Sequence, residues 1–360
     1  GDEILAGRGV VNEDGVAFLR ELCALVRERH PGVLLSAEES TNFKWVTSRP
    51  VDAGSERQSV QVQDLGFHLK WNMGFTYDTL AYLGDSFERR PHLETFGWKR
   101  LSWYLAYAFN ERWVLPFSHD NAHARGLVDQ VTPEEDDAPE SRFAHLRMLL
   151  MYTIGMPGRP LLFMGSEVGE GGWSHTKAID WEAAGVDPRK QQLKAWVALL
   201  LRLYRELPAL HQQDDTQEGF VWMDKDASSR CLYSWLRRAE GASDVAVVVN
   251  ASPSSVSGYH MAVGSNAARV WRCAASTCIK ATEAAAAEPE AVVELPPGAD
   301  GFAVDLAGCG VQLWVATDAA AVALPAGRVQ FELRHPGGSG DESVVVVGGC
   351  AALGDWTPEA

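Results

Sequence analysis

Three times in the first 170 residues a short apolar run stops at an acid. Residues 33–37 lead into Glu38 and Glu39, 113–117 into Ser118-His119-Asp120, and 161–164 into Gly165-Ser166-Glu167. A fourth run, 66–71, ends at Trp71 and Asn72. Between the runs lie segments with apolar residues at helical spacing, at 12–30, 76–84, 98–109, 143–154 and 193–207. Runs of four to six residues suit strands, and strands alternating with helices imply a parallel sheet with crossover helices. Such sheets display their chemical groups at the C-terminal ends of the strands. No Gly-rich loop opens a helix as a dinucleotide site requires. An open doubly wound sheet remains an alternative, but four strands with large loops after their tips suit half of an eightfold barrel.

From Gly219 the period changes to two. FVWMD, CLYSWLRR, DVAVVVN, ARVWRC, AVVELPP and VQLWVA are short strand-like runs separated by Gly, Ser, Asn and Pro. The expected organisation is α/β followed by all-β: an incomplete barrel over 1–212 and an antiparallel β-sandwich over 213–316. An Ala-rich linker at 317–327 follows, and a truncated β module at 328–360. The chain opens on Gly-Asp-Glu rather than Met, and both ends read as those of a fragment.

Charge narrows the partners. The formal net charge is −16 with no basic stripe, which disfavours nucleic acid. No apolar run approaches the roughly 18 residues of a membrane-spanning helix. The six cysteines form no CxxC pair and have no His at metal spacing, so buried free thiols are expected, with no metal and no cofactor. The 13 Trp residues include candidates for stacking on sugar rings, although most belong to the core.

AEEST at 37–41, GFHLKWNMGF at 66–75, LPFSHD at 115–120, LLFMGSEVGE at 161–170 and DW at 180–181 stand in a recognisable order. The chain resembles α-1,4-glucan branching enzymes of the α-amylase superfamily, roughly over residues 12–315. Its last stretch, GGCAALGDWTPEA, resembles the opening of a starch-binding module. The resemblance implies the second half of a (β/α)8 barrel, with Glu38 as general acid/base and Asp120 as the transition-state-stabilising carboxylate. It also implies substrate contacts from His119, Trp71, Asn72 and Glu167, an α-glucan such as glycogen or amylopectin as partner, and a cytoplasmic or plastid location. Glu39 is expected to be a loop partner, and Trp173 and His175 to be structural.

The family's nucleophile, in a motif resembling DGFRVDAV, has no counterpart here, so the isolated chain is expected to be inactive. After Asp120 the family continues with Glu, where this chain has Asn121-Ala122-His123. A hydrolase of the same superfamily and a non-catalytic glucan-binding protein are the competing readings. Counting branches against reducing ends separates the first, and glucan pull-down of the β region separates the second.

Overall fold

A computed structural model describes residues 11–41, 43–47, 64–95, 98–123, 125–136, 138–224, 230–264, 270–277 and 291–317. The expected linker beyond Thr317, the module at 328–360 and most of the 40–65 loop lie outside them. Helix α1 (Glu13–Arg29) forms where the local signals place it. Asn12 Oδ1 accepts from Gly15 N at 2.9 Å, and Glu13 and Asp14 occupy the positive end while Arg27 and Arg29 occupy the negative one. Not all of the apolar residues at helical spacing turn inward. Val16 and Cys23 are buried, whereas Phe18 is 63% exposed and forms an outward stripe with Leu22 and Leu25. The helix is apolar on two sides, and only one of them meets the sheet.

The strands that follow are β1 (Ser36–Ala37) and β2 (Leu69–Trp71). Helix α2 (Met73–Leu83) comes next, then a small antiparallel hairpin of β3 (Glu94–Thr95) and β4 (Trp98–Lys99). Where the spacing at 98–109 suggests an α-helix, the chain makes this hairpin strand and a 3-10 helix over Arg100–Ala106. Its aromatic side chains answer to tertiary partners: Tyr104 donates to the Pro157 carbonyl at 2.6 Å, and Tyr107 packs edge-on against Trp113. Strand β5 (Trp113–Phe117) is wholly buried. Short helices α3 (His119–Ala122) and α4 (Leu127–Gln130) precede the long α5 (Pro139–Gly155). Strand β6 (Arg159–Leu162), α6 (Trp181–Val186) and α7 (Pro188–Glu206) complete this region.

Four of these strands make one sheet in the order β1-β2-β5-β6, and every pair is parallel. Each strand lies beside its predecessor in the chain, without the reversal that marks a doubly wound sheet.

The second region contains β7 (Phe220–Asp224), β8 (Leu232–Arg237), β9 (Val245–Asn250), β10 (Val256–Met261), β11 (Val270–Ser276), β12 (Val292–Glu294), β13 (Phe302–Leu306) and β14 (Val311–Thr317). Six form an antiparallel sheet in the order β12-β11-β14-β9-β8-β7, while β10 pairs with β13. One face of the large sheet (Leu232, Leu236, Val248, Trp271, Trp314) packs with Tyr259, Phe302 and Val304 of the small one. Its other face (Tyr233, Trp235, Val247, Leu313) shares a core with β5, α5 and α7. Strands β8 and β9 are therefore buried on both sides. At the seam Gly155, the last residue of α5, comes so close to Trp235 that a Cβ would sit 3.0 Å from its ring. Its carbonyl accepts from Trp235 Nε1 at 2.8 Å and from Arg237 at 3.2 Å, so the sheet caps the helix end.

His145 of α5 lies in the same shared core with no exposure. Its Nδ1 lies 3.0 Å from the Ser141 carbonyl, and its Nε2 lies 3.2 Å from the Arg90 guanidinium and 3.4 Å from Cys309 Sγ. Burial, with the positive charge of Arg90 adding to it, lowers its pKa to about 4 against the nearby Asp136. Below pH 6.5 the unfolded chain takes up a proton that the folded chain refuses, so His145 leaves stability unchanged above 6.5 and lowers it as pH falls towards 4. At about 1.4 kcal/mol per pKa unit, the loss is about 3 kcal/mol. Urea unfolding of wild type and His145→Gln between pH 7 and 4 checks this: the wild-type midpoint should fall more steeply, and parallel curves would refute it.

The described cysteines Cys23, Cys231, Cys273 and Cys309 are buried free thiols.

Candidate active site at the strand tips

Because β1, β2, β5 and β6 are parallel, the residues that follow their C-terminal ends stand along one edge of the sheet. Glu38 follows β1, Asn72 follows β2, Ser118 to Asp120 follow β5, and Glu167 lies in the turn after β6.

The two adjacent glutamates are separated by their partners. Glu39 sits 2.6 Å from the ammonium of Lys70, and its other oxygen accepts from Thr41 N at 2.6 Å. Glu38 is exposed and has no hydrogen bond or ion pair among the described residues. The loop beyond is pinned lower down by the buried Glu111, which accepts from Val46 N and Thr47 N at 2.9 Å each.

At the tip of β5, Ser118 Oγ accepts from Asp120 N at 3.3 Å and Asn121 Oδ1 accepts from Ser118 N at 3.2 Å. This reciprocal pair is a capping box, in which Asn121 does the work usually given to Glu or Gln at the third helical position. The departure from the family's Glu at this place therefore preserves the turn. His119 Nε2 stands 3.3 Å from Asp120 Oδ1, and both side chains are nearly half exposed.

Sequence reasoning set Trp173 aside, yet it joins two of the tips. Its ring meets His119 at 6.0 Å, His123 at 6.2 Å and Phe163 at 5.2 Å, each edge-on, and its backbone N–H donates to the Ala122 carbonyl at 2.6 Å. Nothing in local spacing marks this Trp, because its partners come from other strands. Ala122, Met164, Gly172, Trp173 and Lys177 line a shallow, open hollow beside α3. Glu170, at its margin, is held by Lys177 at 2.8 Å and Lys190 at 3.4 Å; these lysines lower its pKa against the opposing effect of burial.

Other tip residues serve the backbone. Asn72 is buried and caps α2, its Oδ1 accepting from Phe75 N at 2.8 Å and from Tyr107 at 3.3 Å, while its Nδ2 has no partner. Glu167 turns back to accept from Gly165 N at 2.8 Å, in a turn that Gly165 enters at φ +90°. Trp71 is half-buried. Among the described residues no group of three His, Cys, Asp or Glu is arranged to hold a metal. No helix among them is long and apolar enough to cross a membrane.

A parallel α/β sheet with acids at its tips, joined to an antiparallel β region, is the fold of α-amylase-type proteins. The structure matches AmyP in complex with maltose with a TM-score of 0.57 at 12% identity, covering 84% of this chain and 62% of that one. It matches the Geobacillus thermoleovorans α-amylase complexed with acarbose with a TM-score of 0.52 at 14% identity, covering 84% and 57%. No protein-family model matches the chain. By sequence, the chain is a homologue of bacterial 1,4-alpha-glucan branching enzymes and fits the C-terminal portion of one. It is 40% identical over 259 residues to GlgB 2 of Xanthomonas oryzae pv. oryzae, taking in 71% of this chain and 33% of that protein. The GlgB of Pseudomonas aeruginosa is 39% identical over the same shares, and that of Dechloromonas aromatica 38%, over 71% and 38%. The chain thus spans about a third of the length of these curated relatives.

Proposed function

We propose that this chain supplies the acid/base side of an α-1,4-glucan branching site and forms the second half of a (β/α)8 barrel. The observation that carries the reading is the shared edge. Glu38 and Asp120 follow parallel strands separated by one neighbour, and Glu38 has no partner among the described residues while Glu39 is held. The chain-ordered parallel sheet and the outward stripe of Phe18, Leu22 and Leu25 on α1 support the half-barrel reading. A further βα unit packed there would bury that stripe.

In this reading Glu38 gives its proton to the departing O4 as the C1–O4 bond breaks, and a carboxylate nucleophile retains the glucan segment at C1. The Glu38 carboxylate then takes the proton of an incoming 6-hydroxyl as the C1–O6 bond forms and the bond from C1 to the nucleophile breaks. Asp120 stabilises the flattened sugar, His119 hydrogen-bonds a hydroxyl, and Trp71 and Glu167 border the groove that Asn72 shapes from behind. The nucleophile comes from the other half of the barrel, so the chain alone is inactive. Glu38 is exposed here, and the water-excluding surroundings a general acid uses come from that half and from the glucan. The partner is an α-glucan polysaccharide, no cofactor takes part, and bacterial relatives favour a cytoplasmic over a plastid setting.

The test is product analysis on amylose, using a protein that carries the complete barrel. Branching raises the number of 1,6-linkages with little change in reducing ends. A rise in reducing ends alone assigns the site to a hydrolase, and glucan binding without either product assigns it to a binding protein.

A further inference from the structure

A general acid must point at the bond it protonates, yet among the described residues no side chain holds Glu38. Its neighbour is held instead. Lys70 is 3% exposed, and its ammonium lies 2.6 Å from Glu39 Oε2, 3.2 Å from the Thr41 carbonyl and 3.3 Å from the Phe43 carbonyl. Its contact with Glu39 is a close ion pair off the line of a hydrogen bond, and Glu39 Oε2 has no hydrogen bond from any other group among the described residues. The face of Trp113 lies 5.5 Å from the ammonium, and Ala37, small and in register with Lys70, flanks it on β1. Glu39 Oε1 and Thr41 Oγ1 in turn accept from the loop's own backbone, at Thr41 N and Phe43 N. A buried ammonium is costly unless it is paired, so removing it frees every one of these groups at once.

We propose that Lys70 is a positioning residue for Glu38, acting through Glu39, Thr41 and Phe43. Clamping Glu39 towards Lys70 fixes the backbone next to Glu38, and with it the direction from which Glu38 projects at the strand tips. The inference rests on the branching reading above, because the orientation matters only if Glu38 delivers a proton.

The test compares two leaving groups in a protein with the complete barrel. In amylose the departing O4 must receive a proton as C1–O4 breaks. In α-maltosyl fluoride the C1–F bond breaks with fluoride leaving as the anion, so the first turnover needs no proton donor. Misplacing a catalytic group by about 1 Å costs on the order of 100-fold. Lys70→Met is expected to lose about that factor in first-turnover amylose cleavage, and less than about fivefold in fluoride release. Glu39→Gln, which keeps the side-chain shape and removes the charge that Lys70 holds, is expected to show the same split and decides the matter if Lys70→Met does not fold. Equal losses on both substrates, or no loss on amylose, overturn the positioning role. A wild-type protein that turns over neither substrate overturns the branching reading and this inference with it.

Discussion

In a protein that carries the complete barrel, replacing Glu38 by Gln is expected to leave the fold intact and to lower branching by about a thousandfold, within the range that a positioned acid/base contributes. The structural half of this expectation follows from what Glu38 lacks. It is exposed and has no hydrogen bond or ion pair among the described residues, and surface substitutions of that kind stay within about 0.5 kcal/mol. The chemical half follows from the amide, which keeps the size of the carboxyl but can neither give up nor take a proton. Thermal unfolding and branch counting on the same preparation check both. A Glu38→Gln protein that keeps its melting temperature and its branching rate removes Glu38 from the mechanism. Asp120→Asn separates the proposed roles, since a carboxylate that acts by charge rather than proton transfer should show its loss on fluoride substrates as well as on amylose.

Arg237→Met produces the largest stability loss expected in the molecule. Arg237 and Asp214 have no side-chain exposure and pair at 2.5 Å, and the guanidinium also donates to the carbonyls of Gly219 at 3.1 Å and Gly155 at 3.2 Å. Burial raises the pKa of Asp214, and the charge of Arg237 works against that rise. Without the arginine, a buried carboxylate is stranded and the C-terminal carbonyl of α5 loses one of its two caps from the sheet. Breaking one side of a buried pair costs about 3–5 kcal/mol, enough to threaten the seam between the parallel region and the β region. Arg237→Met combined with Asp214→Leu should recover most of that loss, because no charge is then left unpaired. Denaturant unfolding of the two single variants and the double checks this; a double variant as unstable as Arg237→Met alone would show that packing, not stranded charge, sets the cost.

The strands were legible where each carries its own hydrophobic pattern. Residues 113–117 and 220–224 form β5 and β7 with the bounds their sequences suggest. The six runs recognised by alternation after Gly219 make the six-stranded sheet, and the two that went unrecognised, β10 and β13, make the other. Strand β10 is interrupted by Gly258 at φ +67° and by a shift of register between Val256 and Tyr259, which hides its period. Strand β13 does alternate, with Phe302, Val304 and Leu306 inward, and closer counting would have found it. The site was legible as a set of strand-end residues. Their division into held and free groups was not, since Lys70 meets Glu39 across 31 positions of sequence and Trp173 meets His119 across 54.

By itself the sequence determined the periodicity of most elements, the helix cap at Asn12, and the order of the acidic strand ends. These are local properties, set by backbone sterics and by which side chains recur at 2.0 or 3.6 residues. Tertiary structure alone decided which face of α1 is covered, that the large β-sheet is buried on both sides, and which of two neighbouring glutamates is bound by an ammonium. Those outcomes depend on which surfaces and charges meet in space, and groups far apart along the chain carry no mark of their future partners.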